Sequence, residues 1–299
     1  MASTTQAPAT QTAAARRRTE EHRRPRLGRA RPNLLGGLGG WAWLAVIILP
    51  IYYVVITSLK GQEGFFSSNP LLPPASPTFE NYSLVLESDF AQYFANSLIV
   101  TVGSVIPTLL VSFMAAYAIV RGRGRFLSWT NRLFLLGLAI PLHATIIPIY
   151  WMITRAHMYD TLLALILPSI AFAIPISVLI LGNFLRDVPN ELFESMRLDG
   201  ASDWAMMWQL ALPLVRPAVV TVGIYDALTV WNGFLFPLIL TQSPATRVLP
   251  LSLWTFQGEF SVNIPAVLAS VVLATLPLLV VYVVARRQLV SGLTAGFSK

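Results

Sequence analysis

Few side chains in this chain could do covalent chemistry, and their placement excludes most of it. There is no cysteine, and the three histidines, His22, His143 and His157, fall on three separate segments. That leaves no nucleophile–base pair and no clustered ligand set. No second ligand stands at helical spacing from His143, which reads as a packed, hydrogen-bonded residue rather than a metal ligand. No glycine-rich loop ends in a lysine, so the chain has no phosphate cradle with which to act as its own ATPase. What remains is carboxylate in two settings. Asp187, Glu191, Glu194, Asp199 and Asp203 crowd one polar stretch, against Arg186, Arg197 and Arg216. Asp226 instead stands alone in an apolar run, with Thr229 and Asn232 along the same segment. A lone carboxylate at membrane depth is costly unless it is paired or wet, so Asp226 either faces a water-filled space or is a buried packing contact. Asn96 and Asn183 are further polar residues in apolar surroundings.

The elements that must position these groups are membrane helices. Of the 299 residues 55% are hydrophobic and only 12% charged, with a mean hydropathy of +0.63; soluble domains carry about twice that charge. Six runs are long enough to cross roughly 30 Å of hydrocarbon: residues 41–59, 93–120, 133–153, 161–181, 214–240 and 265–285. The fold class is therefore an all-α polytopic helix bundle. Pro107, Pro141, Pro148, Pro168, Pro175, Pro237 and Pro277 fall inside these runs and are expected to kink them. Arg121, Arg123, Arg125 and Arg132 lie between the second and third runs, whereas residues 61–92 carry Glu63, Glu80, Glu87 and Asp89 without Lys or Arg. The positive-inside rule then puts both termini and the polar stretch in the cytoplasm.

Residues 1–33 form a separate region. Eight arginines against Glu20 and Glu21 give this tail +6 of the chain's +7, and its composition predicts disorder. It lacks aromatic residues to stack on bases, so it reads as a topology determinant touching lipid headgroups and not as a nucleic-acid site. The apolar run after it is too long for a signal peptide and lacks a small-residue cleavage site.

The polar stretch, residues 191–217, predicts two amphipathic helices hinged at Asp199-Gly200. Asn190 is a candidate N-cap, Glu191 and Glu194 suit the first turns, and Gly200 suits a left-handed C-terminal position. Leu192, Phe193 and Met196 make one apolar edge. Ser202 or Asp203 would cap the second helix, where Trp204, Met207, Trp208 and Ala211 recur at helical spacing. Pro213 and Pro217 are expected to turn the chain back into the bilayer. A helix pair lying on headgroups would usually show a Lys/Arg face; this acidic one is better suited to a protein partner.

Glu194-Ser195-Met196, three residues, Gly200, nine residues, Leu210, one residue and Leu212-Pro213 resemble the EAA loop of bacterial ABC-importer permeases. Ser195-Met196 replace the two alanines of the family pattern. Asp199-Gly200-Ala201 and Pro213 with Arg216-Pro217 fit the carbohydrate permeases. Further segments resemble the MalG-type subunit: residues 77–82, Asn96-Ser97, residues 115–118 with Arg121, Trp231-Asn232, Pro237-Leu238, Phe256-Gln257-Gly258 and residues 292–296. The resemblance implies a six-span permease domain over residues 34–299, with a coupling loop at about 186–217, in a bacterial plasma membrane. It implies a MalF-type partner permease, two ABC ATPase subunits that bind the ATP and Mg, and an extracellular sugar-binding protein. This chain would itself hold no cofactor and catalyse nothing.

On that resemblance, Glu191, Glu194, Ser195, Met196, Asp199, Gly200, Ala201, Leu212 and Pro213 would couple to the ATPase. Phe256, Gln257 and Gly258 would touch the binding protein. Asn96, Asp226, Thr229 and Asn232 are the candidate pathway residues. The cargo implied is a sugar, of di- or oligosaccharide size. The other readings are an importer of a non-sugar solute and a proton-coupled transporter using Asp226, which would leave the acidic helix pair without a role.

Overall fold

Apolar segments in hydrocarbon must satisfy their backbone hydrogen bonds internally, and in an open chain only helix does so. The computed structural model describes residues 34–256 and 262–295. The tail expected over residues 1–33 therefore lies outside the described residues. The chain divides at Pro50 into two units. The first holds most of α1 (Leu34–Ser58), which carries Pro50 within it. The second holds α2 (Gln62–Ser67), α3 (Glu80–Glu87), α4 (Phe90–Arg121), α5 (Arg125–Gly137), α6 (Leu142–Arg155) and α7 (Leu163–Arg186). It continues through α8 (Asn190–Leu198), α9 (Asp203–Trp231), α10 (Leu235–Leu240) and α11 (Ile264–Ala295).

Five helices, α1, α4, α7, α9 and α11, are each long and apolar enough to cross a membrane. The third expected span departs from a single helix: α5 and α6 meet at 96°. Pro141 accounts for the break, because it has no N–H to donate and disfavours helix at Ile140. The chain before it tightens into three-residue turns, with Leu138, Ala139 and Ile140 bonding to Leu135, Leu136 and Gly137. Other prolines behave differently from expectation. Pro148 sits in the first turn of the α-helical part of α6, which begins at Ile146 after a tighter turn, and Pro237 in the first turn of α10, where a missing donor costs little. The fifth expected span also differs, since the long helix ends at Trp231 and resumes only as α10.

The core joins α4, α7 and α9 to the polar stretch. Phe113 and Ala116 of α4, Leu181 and Leu185 of α7, and Met206, Ala211 and Val222 of α9 are buried together with Phe193 of α8. Along α4, Ser97, Thr101, Ser104, Thr108 and Ser112 recur every three or four residues and are all buried. Side chains this small let membrane helices approach closely where a leucine would hold them apart. Gly223 serves the same end: a Cβ there would lie 3.0 Å from Leu109 of α4.

Side chains hold the loops at the end of the bundle opposite α8. Lys60, just past the end of α1, is 2% exposed, and its ammonium donates to Ser68 Oγ at 3.2 Å and the Asn69 carbonyl at 2.9 Å. Asp160, between α6 and α7, has left-handed backbone with φ 61. Its carboxylate accepts from the N–H groups of Gln242 at 2.8 Å and Ser243 at 3.1 Å, and from the Thr246 hydroxyl at 2.6 Å. Burial opposes ionisation, but the bonds from Gln242, Thr246 and Ser243 outweigh it and bring the carboxyl down from 3.8 to about 2. A depressed carboxyl stabilises the fold above its unfolded value and loses that contribution as pH falls through the folded one. Asparagine imitates the protonated acid. The melting temperature of the wild type should therefore exceed that of Asp160→Asn by a constant margin down to about pH 4. That margin should close toward pH 2; a gap independent of pH would show that the carboxylate charge contributes nothing.

Candidate functional site

The polar stretch folds into the two expected helices. Pro189, with φ −56, leads into α8, and Glu191 lies in the first turn. Asn190 is not the cap: it is already helical, and its side-chain oxygen accepts from Arg121 Nη1. The far end of α8 closes as a Schellman motif. Gly200, at φ 82, donates its N–H to the Arg197 carbonyl at 3.1 Å, and Ala201 donates to the Met196 carbonyl at 3.0 Å. Met196 and Ala201, half-buried, both pack against the core. Ser202 then caps the next helix, accepting from the Ala205 N–H at 3.2 Å. Arg197 and Asp203 pair across the hinge at 2.7 Å, though at 70% and 75% side-chain exposure the pair adds little stability.

Pro213 and Pro217 do not turn the chain. α9 runs from Asp203 to Trp231 as one helical rod of 29 residues. A π-helical stretch, Met207–Ala211, comes just before Pro213, and the Leu212 N–H reaches back to the Met207 carbonyl. This wider turn accommodates the proline that would break a regular helix. The second helix of the polar pair is thus the start of a membrane helix. The stretch presents Glu191, Glu194, Ser195 and Asp199 outward, together with Leu198 at 89% exposure and Trp204 at 60%. Its inner face, Phe193, Met206 and Met207, is buried.

Arg121, the last residue of α4, fastens this assembly. Its guanidinium lies 3.6 Å from the centroid of the Phe193 ring. Besides Asn190, it donates to the carbonyls of Leu185 at 3.1 Å and Val188 at 2.9 Å. One side chain so joins the end of α4, the end of α7 and the start of α8. Tyr117, one turn earlier, donates to the Asp203 carbonyl at 3.2 Å. A polar pocket of about 460 Å³ opens beside them, bordered by Arg121, Arg123, Asn190, Glu194 and Arg197.

Residues 97–293 match the family described as binding-protein-dependent transport system inner membrane component. This chain belongs to that family. The inner membrane component is 39% identical over 257 residues to ORF2 of Caldicellulosiruptor sp., whose name places it among ABC transporter permeases, covering 86% of this chain and 94% of that one. It is 31% identical over 259 residues to the diacetylchitobiose uptake system permease protein NgcG of Streptomyces coelicolor, covering 85% of each. Its fold is similar to a chain of a bacterial ABC transporter involved in the import of the acidic polysaccharide alginate. There the TM-score is 0.75 at 21% identity, over 86% of this chain and 98% of that one.

Within the inner membrane component the nine candidate coupling residues fall on α8, its hinge and the first part of α9. The candidate pathway residues are dispersed. Asp226 is 2% exposed and lies 3.0 Å from Ser177 Oγ of α7. With Thr229 it borders a cavity of about 200 Å³, ringed by Phe172, Tyr225, Phe234 and Phe236. Asn232 borders a different cavity, of about 300 Å³, beside Trp231 and Leu278. Asn96 lines neither, and both of its bonds go to loop carbonyls, Ala245 at 2.9 Å and Arg247 at 2.8 Å. Phe256 packs against the buried cluster that includes Phe90, Trp231 and Leu249, while Gln257 and Gly258 lie outside the described residues. The sequence pointed to neither Arg121 nor Asp160 as a bridging residue.

Proposed function

We propose that this chain is the MalG-type permease subunit of an ATP-driven importer of a sugar, of di- or oligosaccharide size. It pairs with a MalF-type permease, two ABC ATPase subunits and an extracellular sugar-binding protein. Both termini and the α8–α9 hinge lie in the cytoplasm of a bacterium, and the ATPase subunits supply all the catalysis. The observation that carries this reading is mechanical. α8 is a short helix with an exposed acidic and apolar face, wedged by Arg121 against two membrane helices and joined through Gly200 to a helix that continues into the bilayer. Force applied to α8 reaches α4, α7 and α9 without passing through a slack loop. The sugar class is supported by the diacetylchitobiose system in which NgcG is named and by the carbohydrate-type residues around Gly200 and Pro213.

In this mechanism α8, with Glu191, Glu194, Ser195, Met196, Asp199, Gly200 and Ala201, sits in a cleft of one ATPase subunit. Leu212 and Pro213 belong to the rod that carries the movement inward. Closure of the ATPase pair draws α8 toward its counterpart and rocks the spans from inward-open to outward-open. Asp226, held against Ser177, packs α7 on α9 and borders the cavity that Thr229 shares. Glu194→Lys tests the coupling site, because Glu194 is exposed and its reversal leaves the core untouched. The variant should reach the membrane at wild-type level yet lose sugar uptake at least tenfold, since reversal places like charges at a contact worth several kcal/mol. Normal uptake would remove Glu194 from the ATPase contact.

A further inference from the structure

At the end of the bundle opposite α8, residues 241–252 follow α10 as a connection, closing in a single helical turn at Leu249–Ser252, that is held from two sides. From the α6–α7 turn, Asp160 takes three hydrogen bonds on one carboxylate oxygen, from Gln242, Ser243 and Thr246. It also returns its own N–H to the Leu240 carbonyl at 2.9 Å. From α4, Gln92 donates to the Ala245 carbonyl at 3.0 Å, and Asn96 donates to those of Ala245 and Arg247. Ser97 Oγ accepts from the Leu249 N–H at 2.9 Å. Val248, Leu249, Leu251 and Ser252 are buried beneath, and only Gln242, Pro244 and Ala245 stand out as an exposed tip. Backbone groups outside helix must find partners elsewhere, and side chains supply them here. Here four backbone groups and a hydroxyl between residues 242 and 247 are held by the side chains of three residues distant in sequence.

We propose that Asp160 is a positioning residue for docking of the binding protein: its carboxylate sets residues 241–252 into a preformed contact face. This rests on the importer reading, which places that end of the bundle outside the cell. A loop already ordered loses little conformational freedom when a partner docks, so its rigidity is expressed as affinity. The left-handed backbone at Asp160 suits Asp, Asn or Gly, which makes a clean test possible. Asp160→Gly keeps the backbone and removes the carboxylate; Asp160→Asn keeps an acceptor oxygen in place.

The measurement is ATPase activity of the whole transporter in liposomes, titrated with its cognate binding protein purified with bound sugar. Asp160→Gly should raise the half-saturating concentration of binding protein about tenfold with little change in the maximal or basal rate. Asp160→Asn should stay within about threefold of wild type, and Thr246→Val should show a smaller shift of the same kind. A merely structural role would lower the melting temperature or the maximal rate and leave half-saturation unmoved; that result in Asp160→Gly and Thr246→Val overturns the proposal. If the wild-type transporter itself ignores the binding protein, the importer reading fails, and this inference falls with it.

Discussion

Arg121→Ala should reduce transport at least tenfold while the protein still inserts into the membrane. The expectation follows from what the guanidinium joins. It touches the end of α7 through the Leu185 carbonyl, the turn after it through the Val188 carbonyl, and α8 through Asn190 and the Phe193 ring, from its own place at the end of α4. Hydrogen bonds to a charged donor and a cation–π contact together are worth about 2–4 kcal/mol here, allowing for their non-additivity. That is too little to unfold a bundle whose core lies deeper, between Phe113, Leu181 and Val222. It is enough to release α8 from the spans that, on the proposed mechanism, it moves. The signature is therefore uncoupling: ATP hydrolysis in the assembled transporter should persist while sugar uptake falls, and amides of α8 should exchange faster. Arg121→Lys should fail nearly as badly, because an ammonium is a point charge and cannot span an amide oxygen and two carbonyls as the planar fork does. Wild-type uptake by either variant would mean that α8 is held by its apolar face alone.

Arg121 marks where the sequence stops being legible. As the basic stop of a span it announced topology. Its hydrogen-bond partners lie 64 to 69 residues away, and two are backbone carbonyls, which every residue has. Asp160 is hidden for the same reason, with Gln242 and Thr246 more than 80 residues distant. Local chemistry, by contrast, was readable. Gly200 closes α8 as expected, and Pro189 starts it one residue earlier than a cap at Asn190 implied, because a ring-fixed φ and a left-handed residue each act within one turn. Prolines inside long runs were the unreliable sign. Pro141 breaks its span by 96°, whereas Pro213 and Pro217 leave α9 unbroken, because the π turn at Met207–Ala211 is stabilised by packing of Met207 and Ala211 into the core. Which outcome a proline produces depends on neighbours that the local sequence does not show.

Gly200 allows the second large effect to be assigned to a cause in advance. A Cβ at this position would meet nothing within 4 Å, so no clash forbids a side chain. The constraint is the backbone alone, at φ 82, where a β-branched residue is strained by about 1–3 kcal/mol. Valine relieves that strain by moving to negative φ. Doing so breaks the bonds from Gly200 to Arg197 and from Ala201 to Met196, and it separates Arg197 from Asp203 across the hinge. α8 then leaves α9 at another angle, and the face carrying Glu194 no longer points where a rigid partner expects it. Gly200→Val should therefore insert normally and lose transport at least tenfold, since a displacement of about 1 Å at a preorganised contact suffices for a loss of that order. Asparagine also places a side chain there, but it tolerates left-handed backbone, so Gly200→Asn should keep most of the uptake, with alanine between the two. The ordering Asn, Ala, Val, measured as sugar uptake at matched membrane levels, separates a backbone requirement from a need for space. If Asn fails as completely as Val, the empty volume around Gly200 is filled in the assembled transporter, and the ATPase cleft closes directly over the hinge.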